Sequence, residues 1–259
     1  MTLKPAIKPN FLFPEFPKAR SILPPAYKEI YKLHYKRNRD GDTSATSISK
    51  QMELWLHKKV AEDVLNTSKD LSTLEIGAGT LNQLIHEPNV KNYDIIEPFK
   101  ELFKGAKELY RINTIYDDIS EIPLNKKYGR ITSVATFEHI LNLPEVVAKA
   151  ILHMKPGSCM RTSIPNEGTI MWKLGTKITG YEFEKMYGLE YDVLMQHEHV
   201  NTAKEIESIL DYFFDSNDAY SFGLNKNFSF YRFIESKEPD YAKAKQFLES
   251  INATYLLAQ

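Results

Sequence analysis

Between Ser72 and Pro165 the apolar residues fall into short runs divided by polar, helix-spaced stretches. "STLEIG", "YDIIE", "RINTIYD", "RITSVAT" and "SCMRTSIP" are the runs. Runs that are apolar on both faces and alternate with helical segments predict a parallel sheet covered by helices on each side. "LPEVVAKAILHM" predicts a helix, closed by the turn "KPG" before the fifth strand. Later, "AYSFGL" and "FSFYRFIES" bracket "NKN". That connection is too tight for a parallel crossover, so the two runs predict an antiparallel hairpin.

Upstream of the sheet the pattern is different. Residues 1–24 mix proline with aromatics and predict an extended arm. A helix is expected over about Ala26 to Arg37, with Tyr27, Tyr31 and Tyr35 on one face. "SISKQMELWLHKKVAEDVL" predicts a second helix, apolar along Ile48, Met52, Trp55, Leu56 and Val60. The expected organisation is an arm and covering helices over residues 1–70 and a sheet domain over 71–259, in one compact unit. The fold class is α/β.

Composition narrows the partners. Lys and Arg number 33 against 34 Asp and Glu, a net charge of -1, so nothing draws the whole chain towards polyphosphate. No nucleic-acid partner is expected. The single cysteine, Cys159, permits no internal disulfide, and the proline-broken N-terminus is unlike a signal peptide. No apolar run is long enough for a bilayer, so no membrane partner and a cytoplasmic location are expected.

The chemistry starts at "LEIGAGTL". Gly77 and Gly79 form a turn at a strand end, where a ligand can come close to the main chain. A dinucleotide turn needs a third glycine where Asn82 stands, and Glu75 before the turn would repel a pyrophosphate. Glu75 suits an ammonium, directly or through water. Glu97, closing "YDIIE", suits a pair of ribose hydroxyls, and Asp118 in "YDDISEIP" suits an adenine amino group with Ile119 against the ring. Ammonium, ribose and adenine are the parts of S-adenosylmethionine. Each residue taken singly also reads as a plain turn or a solvated strand end.

"LEIGAGT", "IIEPF", "DDISEIP", "ITSVATFEHI" and "MKPGSCMRTSIP" together resemble the successive motifs of class I S-adenosylmethionine-dependent methyltransferases. The resemblance implies a Rossmann-like fold whose antiparallel last strands correspond to the late hairpin. It implies S-adenosylmethionine as cofactor, and adds Ala78, Pro98 and Thr136 to its contacts. The pattern departs at Leu81, where a third alternate glycine is common. "YKLHYKRNRDG", "EIGAGTLNQL", "IPNEGTIMWKLG" and "QHEHVNTAKEI" are further similar to methyltransferases of bacterial capsule and O-antigen polysaccharide biosynthesis. This narrower likeness implies a sugar, nucleotide-sugar or phosphoramidate nucleotide as methyl acceptor.

The acceptor's chemistry sets what its side of the pocket needs. A sugar hydroxyl calls for a general base, whereas an anionic oxygen calls for guanidinium or ammonium groups. In "TFEHI", Glu138 reads as a helix-capping acid, and His139 as either a packed imidazole or a catalytic one. In "PNEGTIMW", Glu167 and Trp172 suit a polar ring, while Asn166 would cap a helix start. In "QHEHVNTAKEI", an extended His197–His199 stretch would turn both imidazoles to one side and Glu198 to the other. A helix follows, capped by Asn201 or Thr202. No third ligand stands at metal-binding spacing, so no metal is expected. His199 is the first candidate for base or donor and His197 the second, with structural roles the alternative. Tyr31, Tyr35 and Arg39 read as a lid over the acceptor or as a docking stripe, and Arg20 joins Arg39 for an anionic acceptor. The alternatives to oxygen methylation of a small molecule are a nitrogen or nucleic-acid acceptor, a cofactor-fold protein without turnover, and a nicotinamide oxidoreductase.

Overall fold

The computed structural model describes residues 12–28, 30, 47–65 and 71–257. The expected first helix lies mostly outside them; within them residues 25–28 and 30 are helical. The sheet has seven strands: β1 (Thr73–Ile76), β2 (Tyr93–Ile96), β3 (Ile112–Tyr116), β4 (Tyr128–Val134), β5 (Met154–Pro165), β6 (Phe214–Asn225) and β7 (Phe228–Pro239). Their order is β3-β2-β1-β4-β5-β7-β6. β1 to β5 are parallel, β7 runs antiparallel to β5, and β6 pairs antiparallel with β7. The parallel strands and the late hairpin are those the runs predict, and the whole is the Rossmann-like architecture that the resemblance implies.

The helices are α1 (Ser47–Leu65), α2 (Asn82–Ile85), α3 (Leu143–Leu152), α4 (Ile170–Tyr187), α5 (Tyr191–Glu198), α6 (Ala203–Phe213) and α7 (Tyr241–Leu257). One sheet face packs Leu74, Ile76, Ile131 and Met160 against α3, α6 and α7, with Phe13 and Phe16 of the arm joining this core. The opposite face packs Tyr93 and Ile95 against Ala61 and Val64 of α1 and Leu84 of α2. Each fully buried large aliphatic side chain contributes about 1.5–3 kcal/mol. On that second face Arg130 is wholly buried and pairs with Glu87 at 2.7 Å and Asp63 at 2.8 Å. Arg161 pairs with Asp63 and Glu235 beside it. These charges fasten α1 to β4 and β5, and removing one partner would strand the others in the interior.

Several local expectations are corrected. "KPG" does not precede β5 but lies inside it: Tyr128 faces Met154 and Arg130 faces Cys159, so the extra residues form a bulge with Gly157 at φ 75°. β6 begins at Phe214, directly after α6, rather than at Ala219. The α4 cap is Thr169, whose hydroxyl accepts from Trp172 N, and not Asn166. Asn166 is buried and its amide donates to Ser229 O at 2.9 Å, tying the β5 end to β7. Thr202 caps α6 in a reciprocal box with Glu205, leaving Asn201 for another task. Residues 197–199 are not extended, because α5 runs through Glu198 and His199 is its C-terminal cap.

Candidate active site

The chain goes from β1 outward to β2 and β3, then crosses back to β4 and β5, so the strand order reverses between β1 and β4. Ligands of such sheets bind outside the carboxyl ends of the strands at that reversal. Gly77 and Gly79 stand there with φ of 73° and 51°. A Cβ on Gly77 would fall 2.2 Å from Cγ2 of Thr136, at the end of β4. Only glycine fits. A Cβ on Gly79 would meet nothing within 4 Å, so its main chain is open to a ligand. Leu81 also adopts the left-handed region, φ 66°, and is fully buried on the α1–α2 face. The turn therefore keeps its glycine-like geometry at Leu81 because a core side chain offsets a strain of about 1–2 kcal/mol.

Glu75 is buried on the α1–α2 side, where the Tyr93 hydroxyl donates to its Oε2 at 2.9 Å. Burial pushes its carboxyl up to about 8, against the opposing Tyr93 hydrogen bond. Glu97 is buried and bridges the two strand ends: Oε2 accepts from Gly79 N and Oε1 from Phe99 N, both at 2.9 Å. Ala78 is buried under the turn and Pro98 is exposed beside Glu97. Asp118 is exposed and caps the short turn Ile119–Glu121 by accepting from Ser120 N at 2.8 Å. Ile119, expected against a purine, is buried in the main core instead. The Thr136 hydroxyl donates towards Gly77 O and Val134 O, which locks β1 to β4. Two left-handed glycines, one facing open space, and an acid at the next strand end fit an adenosyl ligand.

The candidate acceptor side is built by two loops that the sequence separates widely. The Glu138 carbonyl accepts from Val200 N at 2.8 Å and Asn201 N at 3.1 Å, while Asn201 Nδ2 donates to Phe137 O and Ile140 O. Arg20 of the arm donates to His197 O, Glu198 O and His139 O. These bonds bring His139 and His199 together, with ring centroids 5.0 Å apart. His199 Nδ1 lies 3.0 Å from Glu167 Oε2, and the His199 ring stacks on Trp172 at 5.8 Å. His197 points elsewhere, its Nδ1 2.7 Å from Ser21 O. The expected His197–His199 pairing is thus replaced by His139–His199, because helix α5 turns adjacent residues by about 100° rather than alternating them. Arg20, suggested for an anionic acceptor, is engaged by main-chain carbonyls. Tyr31, Tyr35 and Arg39 lie outside the described residues.

Two groups escaped the sequence reading. Glu138 is no helix cap: it is 2% exposed, and its Oε2 has no hydrogen-bond partner among the described residues. Burial pushes its carboxyl up to about 7, with His139 opposing. Tyr231 of β7 packs edge-on to Trp172 at 6.0 Å, and burial, then Glu138, raises its phenol above the ordinary range. Glu138 carried a signal in the adjacent "EH" pair. Tyr231 carried none, since only strand pairing brings β7 to this side.

The sheet order and the glycine turn fit the class of S-adenosylmethionine-dependent methyltransferases. The chain belongs to the methyltransferase domain family, whose profile matches residues 48–213. It is similar to a malonyl-[acyl-carrier protein] O-methyltransferase of Priestia megaterium, 25% identical over 148 residues, which are 55% of this chain and 53% of the relative. The chain spans about half the length of that curated relative. Its fold is similar to that of the plantazolicin methyltransferase BpumL, crystallised with a desmethylplantazolicin analogue and S-adenosylhomocysteine (SAH). That match has a TM-score of 0.56 and 16% identity over 82% of this chain and 93% of the other. A methyltransferase of Thermotoga maritima matches with a TM-score of 0.50 and 15% identity over 73% of this chain and 95% of the other. The cofactor of this chain is S-adenosylmethionine. Among the described residues no helix is long and apolar enough to cross a membrane.

Proposed function

We propose that this methyltransferase methylates an oxygen of a small polar acceptor, a sugar or a phosphate- or phosphoramidate-bearing sugar intermediate of bacterial surface polysaccharide synthesis. The observation that carries the reading is the Glu167–His199 contact of 3.0 Å on a ring stacked against Trp172. A carboxylate only accepts, so Nδ1 of His199 donates to it and Nε2 is left as the accepting nitrogen. The aromatic face of Trp172 suits the apolar face of a sugar ring, and Nε2 suits the proton of its hydroxyl. With Arg20 engaged by carbonyls, a neutral hydroxyl fits this wall better than a free anionic oxygen.

When bound, the donor supplies a methyl group already activated on a sulfonium. Glu75 would hold its ammonium, the Gly77–Gly79 main chain its amino-acid portion, and Glu97 its ribose. Asp118, through the oxygen not engaged by Ser120 N, would take the purine amino group, with Pro98 and the 70% exposed Phe99 ring alongside. What remains for the protein is to align the acceptor and receive one proton, tasks worth roughly 10²- to 10⁴-fold for a placed base. The test is a panel of nucleotide sugars and phosphoramidate nucleotides incubated with methyl-labelled donor and read by mass spectrometry. Label on a hydroxyl oxygen, lost in His199→Ala, is the expected outcome. Label on nitrogen alone, or transfer only to RNA or DNA, would contradict the reading.

A further inference from the structure

Glu138, His139 and His199 each offer one ligand atom, and the three atoms lie within 4.8 Å of one another. Their surroundings are those of metal ligands. His139 Nδ1 is 2.8 Å from the main-chain oxygen of Glu198, which can only accept, so this nitrogen carries the proton. His199 Nδ1 donates to the Glu167 carboxylate in the same way. In the neutral imidazoles these bonds select the tautomer with the proton on Nδ1, which leaves Nε2 as the accepting nitrogen. Metal-bound histidines are oriented by this same pairing of the second nitrogen with a carboxylate or carbonyl. Beside them is the Glu138 carboxyl, 2% exposed, with Oε1 3.8 Å from His139 Nε2 and Oε2 without a hydrogen-bond partner among the described residues. An orphaned buried oxygen of that kind calls for a partner.

We propose that Glu138, His139 and His199 form a binding site for one divalent transition-metal ion. Two imidazoles and one carboxylate on one side of an ion, with its other positions open, suit Zn(II), Fe(II), Mn(II) or Co(II) rather than Mg(II) or Ca(II). Ligand atoms around such an ion stand roughly 3–4 Å apart, so the trio closes by on the order of 1 Å on binding. The imidazole of His139 is 31% exposed and Glu138 lies beneath it, which gives the ion a way in. The site faces Trp172, where an oxygen acceptor would take an open coordination position. His199 would then serve as ligand and no longer as proton acceptor, so the proposal goes beyond the reading above while sharing one residue with it. The trio differs from the pair weighed in the sequence: His197 is not a member, and Glu138 and His139, both from the loop after β4, join His199.

The test uses the full chain without a histidine tag, stripped with chelator and titrated with Zn(II) and Co(II), no acceptor present. The wild type is expected to bind one equivalent, with visible Co(II) absorption bands. His139→Ala and His199→Ala should each abolish the bands, and Glu167→Gln should weaken binding about 10- to 100-fold. His197→Ala should bind as the wild type does. Thermal melting identifies any variant that fails to fold. The proposal is overturned if the folded His139→Ala and His199→Ala chains bind as tightly as the wild type, or if the wild type binds no stoichiometric ion. Because the readout involves no methyl transfer, its failure leaves the base role of His199 standing, and loss of that role leaves the binding isotherm unaffected.

Discussion

Replacing Glu75 by Gln isolates one buried carboxyl beside the glycine turn. Its carboxyl rises from the ordinary 4.5 to about 8 in the folded chain, mainly by burial. Between those two values the folded chain keeps a proton that the unfolded chain has released. Stability therefore falls as pH rises through that window, and the contribution is complete only below 4.5. Integrating from pH 5 to pH 8 gives a loss of about 3 kcal/mol from this one group. Glutamine keeps an oxygen for the Tyr93 hydroxyl but cannot ionise. Wild type and Glu75→Gln should thus unfold alike in urea at pH 5, with the variant more stable by about 3 kcal/mol at pH 8. Taking the difference between the two chains cancels every other titrating group that the substitution leaves alone. Curves that stay parallel from pH 5 to pH 8 would refute a protonated, buried Glu75. A donor ammonium reaching this carboxyl would also lower its pKa. Donor binding near pH 7 should then release a proton in the wild type and none in the variant, read by calorimetry in buffers of different ionisation enthalpy.

Other substitutions probe the turn and the acceptor wall. Gly77→Ala should destabilise by more than the roughly 1–2 kcal/mol of a left-handed alanine, and Thr136→Gly should recover the excess, measured as coupling in urea melts. Gly79→Ala should cost only about 1–2 kcal/mol of stability while weakening donor binding by calorimetry. Leu81→Ala should destabilise by about 2–5 kcal/mol in thermal or urea unfolding, despite easing no strain at φ 66°. Arg20→Ala should lower transfer to a found acceptor while leaving donor affinity unchanged, since it holds the His139 turn against α5, on the side proposed for the acceptor.

The sheet was legible because β1 to β4 each carry a short cluster of apolar residues bounded by turns, even with Glu75 inside β1 and Arg130 inside β4. The glycine turn and its neighbouring acids were legible because strand ends bring Glu75, Gly77 and Glu97 together by chain order alone. The acceptor wall was not. His139 meets His199 through bonds of Asn201, Arg20, the Glu138 carbonyl and the Glu198 carbonyl, which join loops that no local pattern encodes. α5 was missed because "YDVLMQHE" is short and has a polar end, and its helical turn is what sends His197 to Ser21 O. The buried Ile119 was misplaced for a related reason: an apolar residue next to a binding acid reads equally as platform or core, and here the main core claims it.

One crystal structure of the full chain with SAH bears most directly on the donor crevice. The account expects the ribose on the Glu97 carboxylate, the amino group towards Glu75, and the thioether over the Gly77–Gly79 main chain on the side of His199. A nucleoside lying away from the β1 and β4 ends, with Glu75 and Glu97 untouched, would contradict it.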